Sequence, residues 1–321
     1  MSDSENSSSP VYDINTWPNS AAAVILFLSS CIGIFFNFSI IYNFITEKNQ
    51  KTAFNLICVF RSFNNIYILS IVMLGVFFPE SILGFSIYPP LVESIIITSG
   101  VNLMVYNEFQ SIYIAVNRLF AILFPVKYNF IFGFKLTFFL HILYYLDRIR
   151  NLTMEHFDRY RESNYMLFST EHLAYGGNIV APDGMFIWAL GLVIFPFLIN
   201  IITFIRFYHL KKKTSQESEH WKKAKQNMIQ FLQTVFQDSL FSISVISSMK
   251  LNTLVDHRFW TFLTQTFAWQ VIHVLDGFIM KMFKNNKKVL KSTKINKICP
   301  IGTAGRGVDT STVAAARVII S

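Results

Sequence analysis

The stretch AAAVILFLSSCIGIFFNFSIIYNFI, Ala21–Ile45, decides the class of fold, because it runs for 25 residues without a charge. A helix needs about 20 mainly apolar residues to cross a hydrocarbon core of about 30 Å. A core helix of a soluble protein would instead alternate apolar and polar residues with helical spacing. The stretch is therefore predicted to be a membrane-spanning helix, which we number helix one.

Five further runs of the same kind follow, separated by loops that carry most of the charges. They predict helices two, three, five, six and seven at Thr52–Phe78, Ile95–Ile122, Met185–Phe207, Met228–Met249 and Phe259–Phe283. Helix four is predicted at Ile131–Leu146, where the apolar run is short and contains Lys135 and His141. The expected fold is an all-α membrane protein, a bundle of seven transmembrane helices in which helix four is short or irregular.

The overall composition agrees with lipid as the main solvent. Of the 321 residues 52% are hydrophobic and only 15% are charged, which is too apolar for an ordinary soluble domain. The net charge of +9 would suggest nucleic acid in a soluble protein, but basic residues between apolar spans indicate cytoplasmic loops and anionic membrane lipid, so no nucleic acid is expected. The cysteines, Cys31, Cys58 and Cys299, lie in spans or in the tail, so no external disulfide is predicted. No metal-ligand spacing occurs, and no cofactor is expected.

The basic residues predict the orientation, because Lys and Arg are retained on the cytoplasmic side. With the N-terminus outside, 21 of the 28 Lys and Arg residues fall in cytoplasmic segments and six in external ones. We predict an external segment at 1–20, a seven-helix domain at 21–288 and a disordered cytoplasmic tail at 289–321. Sequons at Asn6 and, just after helix four, Asn151 would then be external and are predicted to be glycosylated.

Polar side chains inside the spans are the first candidates for function, because each raises the cost of insertion and needs a partner. They are Asn37, Arg61, Asn64, Asn65, Asn102, Asn107, Glu108, Gln110, Asp238, His273 and Asp276. No single helix carries a charged stripe, which a pore or a proton pathway would favour. Two interpretations stay open for each residue: a hydrogen bond that holds the bundle together, or a switch between two packings.

The segment SIYIAVNRLFAILFPVKY, Ser111–Tyr128, ends helix three at a lone arginine, Arg118. An arginine at this depth can lie in a polar intracellular crevice and donate hydrogen bonds to the backbone carbonyls of a partner. It can equally reach toward water and mark the edge of the membrane.

These segments resemble the rhodopsin-like receptors, and more closely the nematode serpentine chemoreceptors of class x. Asn117-Arg118-Leu119 with its continuation to Lys127-Tyr128 looks like that family's version of the Asp-Arg-Tyr motif. Phe236–Ser239 in helix six and His257–Phe278 in helix seven are similar to two further family segments. Asp276-Gly277 stands where rhodopsin-like receptors have Asn-Pro or Asp-Pro. The resemblance extends over residues 21 to 288.

The resemblance implies a G-protein-coupled chemosensory receptor of the plasma membrane, with sensory cilia as a candidate place. It would bind a small, mostly apolar, odorant-like ligand and activate a heterotrimeric G protein. The residues implied in coupling are Asn117, Arg118, Leu119, Lys127 and Tyr128. Those implied in the activation switch are Asn37, Asn65, Asn107, Asp238, Asp276 and Gly277, with Asn65 and Asn107 bonded to Asp276 and the glycine as a hinge. Ligand contacts are expected at Asn102, Tyr106, Trp188, Gln265 and Trp269, for which simple packing is the competing interpretation.

The chain departs from the family between Phe134 and Asp183, where charges replace a long fourth helix. This region is either an altered outer loop or an error in the translated gene model. The competing functions are a multi-pass transporter, a ligand-gated channel and a receptor remnant without function. We expect no enzyme, since no His, Asp or Ser residues at the membrane edge have the spacing of a catalytic site.

Overall fold

The computed structural model describes residues 17–47, 51–124, 128–176, 183–213 and 219–298. Within these ranges the chain forms seven long helices, which confirms the expected all-α bundle. Helix one is Trp17–Thr46, helix two Ala53–Leu83, helix three Pro90–Leu123, helix four Phe134–Glu162, helix five Asp183–Lys213, helix six Glu219–Met249, and helix seven runs from Arg258 to Ile298. A short helix, Tyr128–Ile131, and a 3-10 turn, Leu251–Leu254, lie in the connections.

Helices two and seven each contain a π-helical segment. In helix two it is Ile68–Phe77, and in helix seven it is Phe262–Phe267. A π turn has one more residue than an α turn, so it changes the direction in which the following side chains point. Helix two begins at the N-cap Thr52, whose hydroxyl accepts from the amide of Asn55, and it ends at Gly84 with a φ of 76°.

Helix four is longer than expected. Its apolar part is short, as the sequence predicts, but the helix continues without a break to Glu162 and has 29 residues. The charges of its second half pair along the helix, Arg150 with Asp147 at 2.7 Å and Arg159 with Glu155 at 2.8 Å. Such pairs three or four residues apart stabilise a helix that has few apolar residues.

Among the described residues, three helices are apolar and long enough to cross a membrane by length and composition alone: helix one, helix two, and Leu190–His209 of helix five. Their surfaces fit a lipid environment, since exposed side chains such as Phe35 and Phe38 of helix one are large and apolar. Helix three carries Glu93, Glu108 and Arg118, which lower its hydropathy, but all three side chains are buried inside the bundle.

A small β-hairpin closes one end of the bundle. Strands β1, Phe168–Ser169, and β2, Ala174–Tyr175, pair antiparallel between helices four and five. The Phe168 ring stacks on Phe77 of helix two with centroids 4.5 Å apart, and Tyr175 lies 4.6 Å from Trp269 of helix seven. We call this the hairpin end and the opposite one, which contains Arg118, the Arg118 end.

The contacts divide the chain into two compact units, Met1–Phe283 and Lys284–Ser321. The first contains helices one to six and helix seven as far as Phe283. Of the second, residues 284–298 are described and are helical. The predicted tail at 289–321 lies mostly outside the described residues, so its disorder stays a prediction.

We expect Phe168→Ala to destabilise the receptor by about 3–5 kcal/mol, because it removes a buried ring from the aromatic core under the hairpin. Chemical unfolding in mixed micelles measures the loss. Phe157→Ala on helix four, whose ring is 64% exposed, is the matched control and should change stability by less than about 1 kcal/mol. Equal losses in the two variants would contradict a hairpin that packs as a lid.

Candidate functional site

A buried ion pair stands at the centre of the bundle. Arg61 of helix two is 2% exposed, and its Nε donates to Asp276 Oδ2 of helix seven at 2.8 Å. The same guanidinium donates to the backbone oxygen of Asn107 at 3.2 Å and to Ser111 Oγ at 2.8 Å, both on helix three. Glu108 Oε1 lies 4.0 Å away. The arginine therefore holds helices two, three and seven together.

Four asparagines extend the pair into a relay of side-chain amides. Asn65 donates to Asp276 Oδ2 at 2.7 Å and to Asn37 Oδ1 at 3.0 Å. Asn107 donates to Asn65 Oδ1 at 2.9 Å, and Asn64 donates to Asn107 Oδ1 at 2.8 Å. The relay connects helices one, two and three to Asp276. Asn107 thus reaches Asp276 through Asn65 and Arg61, whereas the sequence suggested a direct bond.

Helices four and seven add the outer members of this group. The Tyr145 hydroxyl of helix four donates to Asn64 Oδ1 at 2.6 Å, and His273 Nδ1 lies 2.8 Å from Asn65 Oδ1. Together with Gln237 of helix six, the residues form what we call the central polar network: Asn37, Arg61, Asn64, Asn65, Asn107, Ser111, Tyr145, Gln237, His273 and Asp276. Buried polar groups bonded in this way favour one packing of the helices over its alternatives.

Helix six is attached at two points on one face. Gln237 Nε2 donates to Asp276 Oδ1 at 2.5 Å, and one turn earlier Thr234 Oγ1 accepts from Arg118 of helix three. Asp238 contacts helices five and three: Asn200 donates to its Oδ2 at 3.3 Å, and its carboxyl interacts with the Ser111 side chain. Gln237 is therefore the direct connection between helix six and the acid of helix seven.

Gly277 permits the close approach of helices one and seven. A Cβ atom added to this glycine would lie 2.5 Å from Asn37 Nδ2, well inside van der Waals contact. Asn37 uses that space to donate to the backbone oxygens of Gly33 at 2.9 Å and His273 at 3.1 Å. The hinge suggested for Gly277 stays a prediction, but the structure gives the glycine a packing reason of its own.

Three of the predicted coupling residues, Asn117, Arg118 and Tyr128, lie together at the Arg118 end. Arg118 is 5% exposed, bonds to Thr234 and lies over the Phe54 ring of helix two at 5.6 Å. The Tyr128 hydroxyl interacts with the Asn117 side chain. A cavity beside Arg118, lined by helices three, five and six, has a volume of about 10 Å³ and holds at most one water. Leu119 is half-buried, and Lys127 lies outside the described residues.

The five predicted ligand residues do not form one group among the described side chains. Asn102 and Tyr106 face helix four, where Asn102 lies 3.4 Å from Glu155 Oε2 and the Tyr106 ring stacks on Tyr144 at 4.5 Å. Trp269 is buried under the hairpin instead. Gln265 is half-buried in the π segment of helix seven, and the side chain of Trp188 lies outside the described part.

The hairpin completes the aromatic core around Trp269. The ring centroids of Phe77, Tyr175 and Trp269 lie 4.6–6.1 Å from one another. Burial raises the pKa of Tyr175 to about 12, so its hydroxyl stays neutral at any physiological pH. Its ring therefore serves this core as an apolar surface.

Of the two predicted glycosylation sites, the structure describes only Asn151. Asn6 lies outside the described residues. The expectation that Asn151 follows helix four is wrong, because the helix continues through it and its side chain donates to Asp147 Oδ2 at 3.1 Å. Glycosylation of both residues stays a prediction.

Arg61, Gln237 and His273 were not assigned to the switch from the sequence. For Arg61 a signal existed, because a lone arginine in an apolar span requires a buried acid, and few acids occur in the other spans. Gln237 gave no comparable signal, since a neutral amide can bond almost anywhere.

We expect Arg61→Met to destabilise the receptor by about 3–5 kcal/mol, because it leaves Asp276 buried without its cation. Adding Asp276→Asn removes that charge and should recover about 1–3 kcal/mol. Chemical unfolding measures both variants. The control Arg150→Met breaks an exposed pair and should cost less than about 1 kcal/mol. A double variant as unstable as the sum of the single ones would contradict direct pairing.

We expect Gly277→Ala to cost about 1–3 kcal/mol, because the new methyl displaces Asn37 from its bonds. Gly191→Ala on helix five is the matched control: its added methyl meets no atom within 4 Å, so stability should be unchanged or rise by up to about 1 kcal/mol. Thermal unfolding of purified receptor compares them. Equal stability of the two alanine variants would contradict a packing constraint between Gly277 and Asn37.

Comparison with known families identifies the chain. The model of the family described as serpentine type 7TM GPCR chemoreceptor Srx matches residues 27–284, which include almost all of the seven-helix bundle. A search of the curated proteins gave no match. The matched range contains every member of the central polar network and Arg118. The chain therefore belongs to the Srx family of serpentine chemoreceptors, which are seven-transmembrane G-protein-coupled receptors rather than enzymes.

Proposed function

We propose that this chemoreceptor binds a small, largely apolar odorant-like molecule and activates a heterotrimeric G protein through the Arg118 end. The observation that carries the proposal is the position of Arg118, buried between helices three and six and bonded to Thr234. A guanidinium released from such a place can donate to the backbone carbonyls of a partner.

The closed Arg118 end supports the interpretation that the packing described here is the resting form of the receptor. The cavity beside Arg118 is too small for a partner segment, and the arginine is covered by Phe54 and by helix six. Coupling to a G protein would require helices three and six to separate at this end. A ligand can drive this only if it binds the open packing more tightly than the closed one.

The central polar network supports a switching role for Asp276. Through Gln237 the carboxylate holds helix six at the same face that carries Thr234, the partner of Arg118. A change of packing around Asp276 would therefore alter the contact of helix six with Arg118. On this proposal Asn37, Asn65, Asn107 and Gly277 set the resting packing and Asp238 attaches helix five to helix six.

The apolar character of the ligand rests on the aromatic core at the hairpin end. Trp269 lies among Phe77, Phe168 and Tyr175. Its Nε1 is buried and has no hydrogen-bond partner in the part of the chain that the structure describes. A ligand that reaches this core would gain mainly from buried apolar area and from aromatic contacts. Asn102, Tyr106, Trp188 and Gln265 stay proposed contacts.

The orientation follows from the distribution of Lys and Arg, 21 against six. It puts the hairpin end and the N-terminus outside, and the Arg118 end and the C-terminus in the cytoplasm. We propose the plasma membrane, with sensory cilia as the place where a chemoreceptor meets its ligand.

The test is a G-protein activation assay with a panel of small ketones, alcohols and esters at equal surface expression. Arg118→Ala should lower ligand-evoked nucleotide exchange by about tenfold or more, in the range of ordinary coupling energies. Arg206→Ala, an exposed arginine of helix five, is the matched control and should signal like the wild type.

A second variant separates coupling from folding. Thr234→Val removes the hydroxyl bonded to Arg118 and should raise basal exchange without ligand, because the closed end loses one of its bonds. Normal signalling by Arg118→Ala would contradict the coupling proposal. A ligand-evoked current in the absence of G protein would instead support a channel, and failure of the wild type to reach the surface would support a receptor remnant.

A further inference from the structure

Two buried carboxyl groups at the hairpin end lie outside the central polar network. Glu80 is in the last turns of helix two and Glu93 is in the first turn of helix three. Both side chains are 0% exposed. In the part of the chain that the structure describes, no Lys or Arg forms an ion pair with either carboxyl. Two like charges in such a place would repel each other and lack water.

Ser86 stands between the two carboxyl groups. Its Oγ is 2.5 Å from Glu93 Oε2 and 3.2 Å from Glu80 Oε1. A serine hydroxyl has one hydrogen to donate, and the shorter distance assigns it to Glu93. The contact between Ser86 Oγ and Glu80 Oε1 then needs a second hydrogen. A proton on Glu80 supplies it, since the third neighbour of the hydroxyl, the backbone oxygen of Tyr88 at 3.2 Å, can only accept.

The remaining contacts distinguish the two acids in the same way. Glu93 accepts two strong bonds, from Ser86 at Oε2 and from the amide of Phe168 at Oε1 at 2.6 Å, so an ionised Glu93 is well satisfied. Among the residues that the structure describes, Glu80 accepts only from the amide of Ile87, at 3.2 Å, besides its contact with Ser86. Its Oε2 is buried and has no hydrogen-bond partner among the described residues. An ionised Glu80 would therefore leave a charged oxygen without a donor.

The other titratable groups around the pair are engaged elsewhere or point to solvent. The Tyr88 hydroxyl donates to the backbone oxygen of Gly75 at 3.2 Å. Arg258 donates to Asn19 Oδ1 at 2.6 Å and to the Thr170 oxygen of the hairpin at 2.8 Å. Glu171 and His172, which follow Thr170, and Asp256 and His257, which precede Arg258, are exposed. Tyr175 on β2 is neutral because burial raises its pKa.

We propose that Glu80, Ser86 and Glu93 form a proton-binding site that fastens the hairpin to helices two and three. With one proton bound, hydrogen bonds run from Glu80 through Ser86 to Glu93, and Glu93 holds the amide of Phe168 in β1. Loss of the proton places two carboxylates on one hydroxyl and loosens the hairpin over Trp269. The external source of the protons is the one part of this proposal that rests on the proposed orientation of the receptor.

The sign of the effect follows from this arrangement. The folded form keeps a proton on Glu80 that the unfolded chain releases more readily, so the unfolded chain gains relative stability as the pH rises. Acid favours the fastened hairpin, and alkali weakens it. External acid would then change how readily a ligand passes the hairpin.

The test uses the purified full chain in lipid nanodiscs, without ligand or G protein, so its failure would leave the coupling proposal untouched. Thermal unfolding is followed from about pH 5 to about pH 8, across which an ordinary glutamate is ionised throughout. Infrared spectra record the C=O band of a protonated carboxyl in the same samples. In the wild type the unfolding midpoint should fall with rising pH while the component of the band that Glu80 contributes decreases.

Glu80→Gln should remove the component of the carboxyl band that belongs to Glu80, measured as a difference from the wild-type spectrum, and should weaken the dependence of the midpoint on pH. Its neutral amide can still donate to Ser86, and the buried acids Glu108 and Asp238 keep their own contributions to the spectrum. Glu171→Gln, an exposed acid on the hairpin itself, should keep both properties of the wild type. If Glu80→Gln does not fold, Ser86→Ala supplies the test, and the band should shift because the hydroxyl that contacts Glu80 is gone.

Three results would overturn the proposal. The first is a wild type without a protonated carboxyl band at any pH in the range. The second is a band and a pH dependence that persist unchanged in Glu80→Gln or are unmoved by Ser86→Ala. The third is a midpoint that rises with added Ca²⁺ or Na⁺ at fixed pH while no band is present, which would make the pair a cation site instead.

Discussion

The ion pair between Arg61 and Asp276 is the interaction on which the arrangement of the helices depends. An arginine in the middle of a bundle carries a large desolvation cost, and it stays there only if an acid and several acceptors surround it. Asp276, Asn107 and Ser111 provide them from helices seven and three. Small displacements of these helices would leave the charge unsatisfied, so the pair favours one packing and makes intermediate ones costly.

The apolar runs alone predicted the positions of six helices, because crossing a hydrocarbon core demands length and absence of charge. Helix six begins nine residues before its apolar run and helix seven ends fifteen residues after its own, since a run marks the part of a helix that is apolar and not the end of the helix. The contact between Asn65 and Asp276 could also be expected, since buried amides and acids in a bundle need each other. The choice of Arg61 as partner required knowledge of which helices are neighbours. A pattern along one helix does not contain that information, because the helices meet through residues far apart in the chain.

The regions that the sequence described least well are those that lie toward water. Helix four continues to Glu162 because charge pairs such as that of Glu155 with Arg159 substitute for apolar packing. A pattern of apolar residues therefore does not predict this part of the helix. The hairpin strands have two residues each, too short for an alternating pattern. The contact of Glu80 with Glu93 through Ser86 likewise depends on a loop whose course no local rule specifies.

On the proposed function, Asp276 keeps the Arg118 end closed through helix six. Spin labels at Leu123 of helix three and Leu232 of helix six, exposed side chains near that end, can measure it in a background without the three native cysteines. Electron–electron double resonance should give one short distance for the unliganded receptor and a second, longer one after Asp276→Asn. An unchanged distance distribution in that variant would contradict the account.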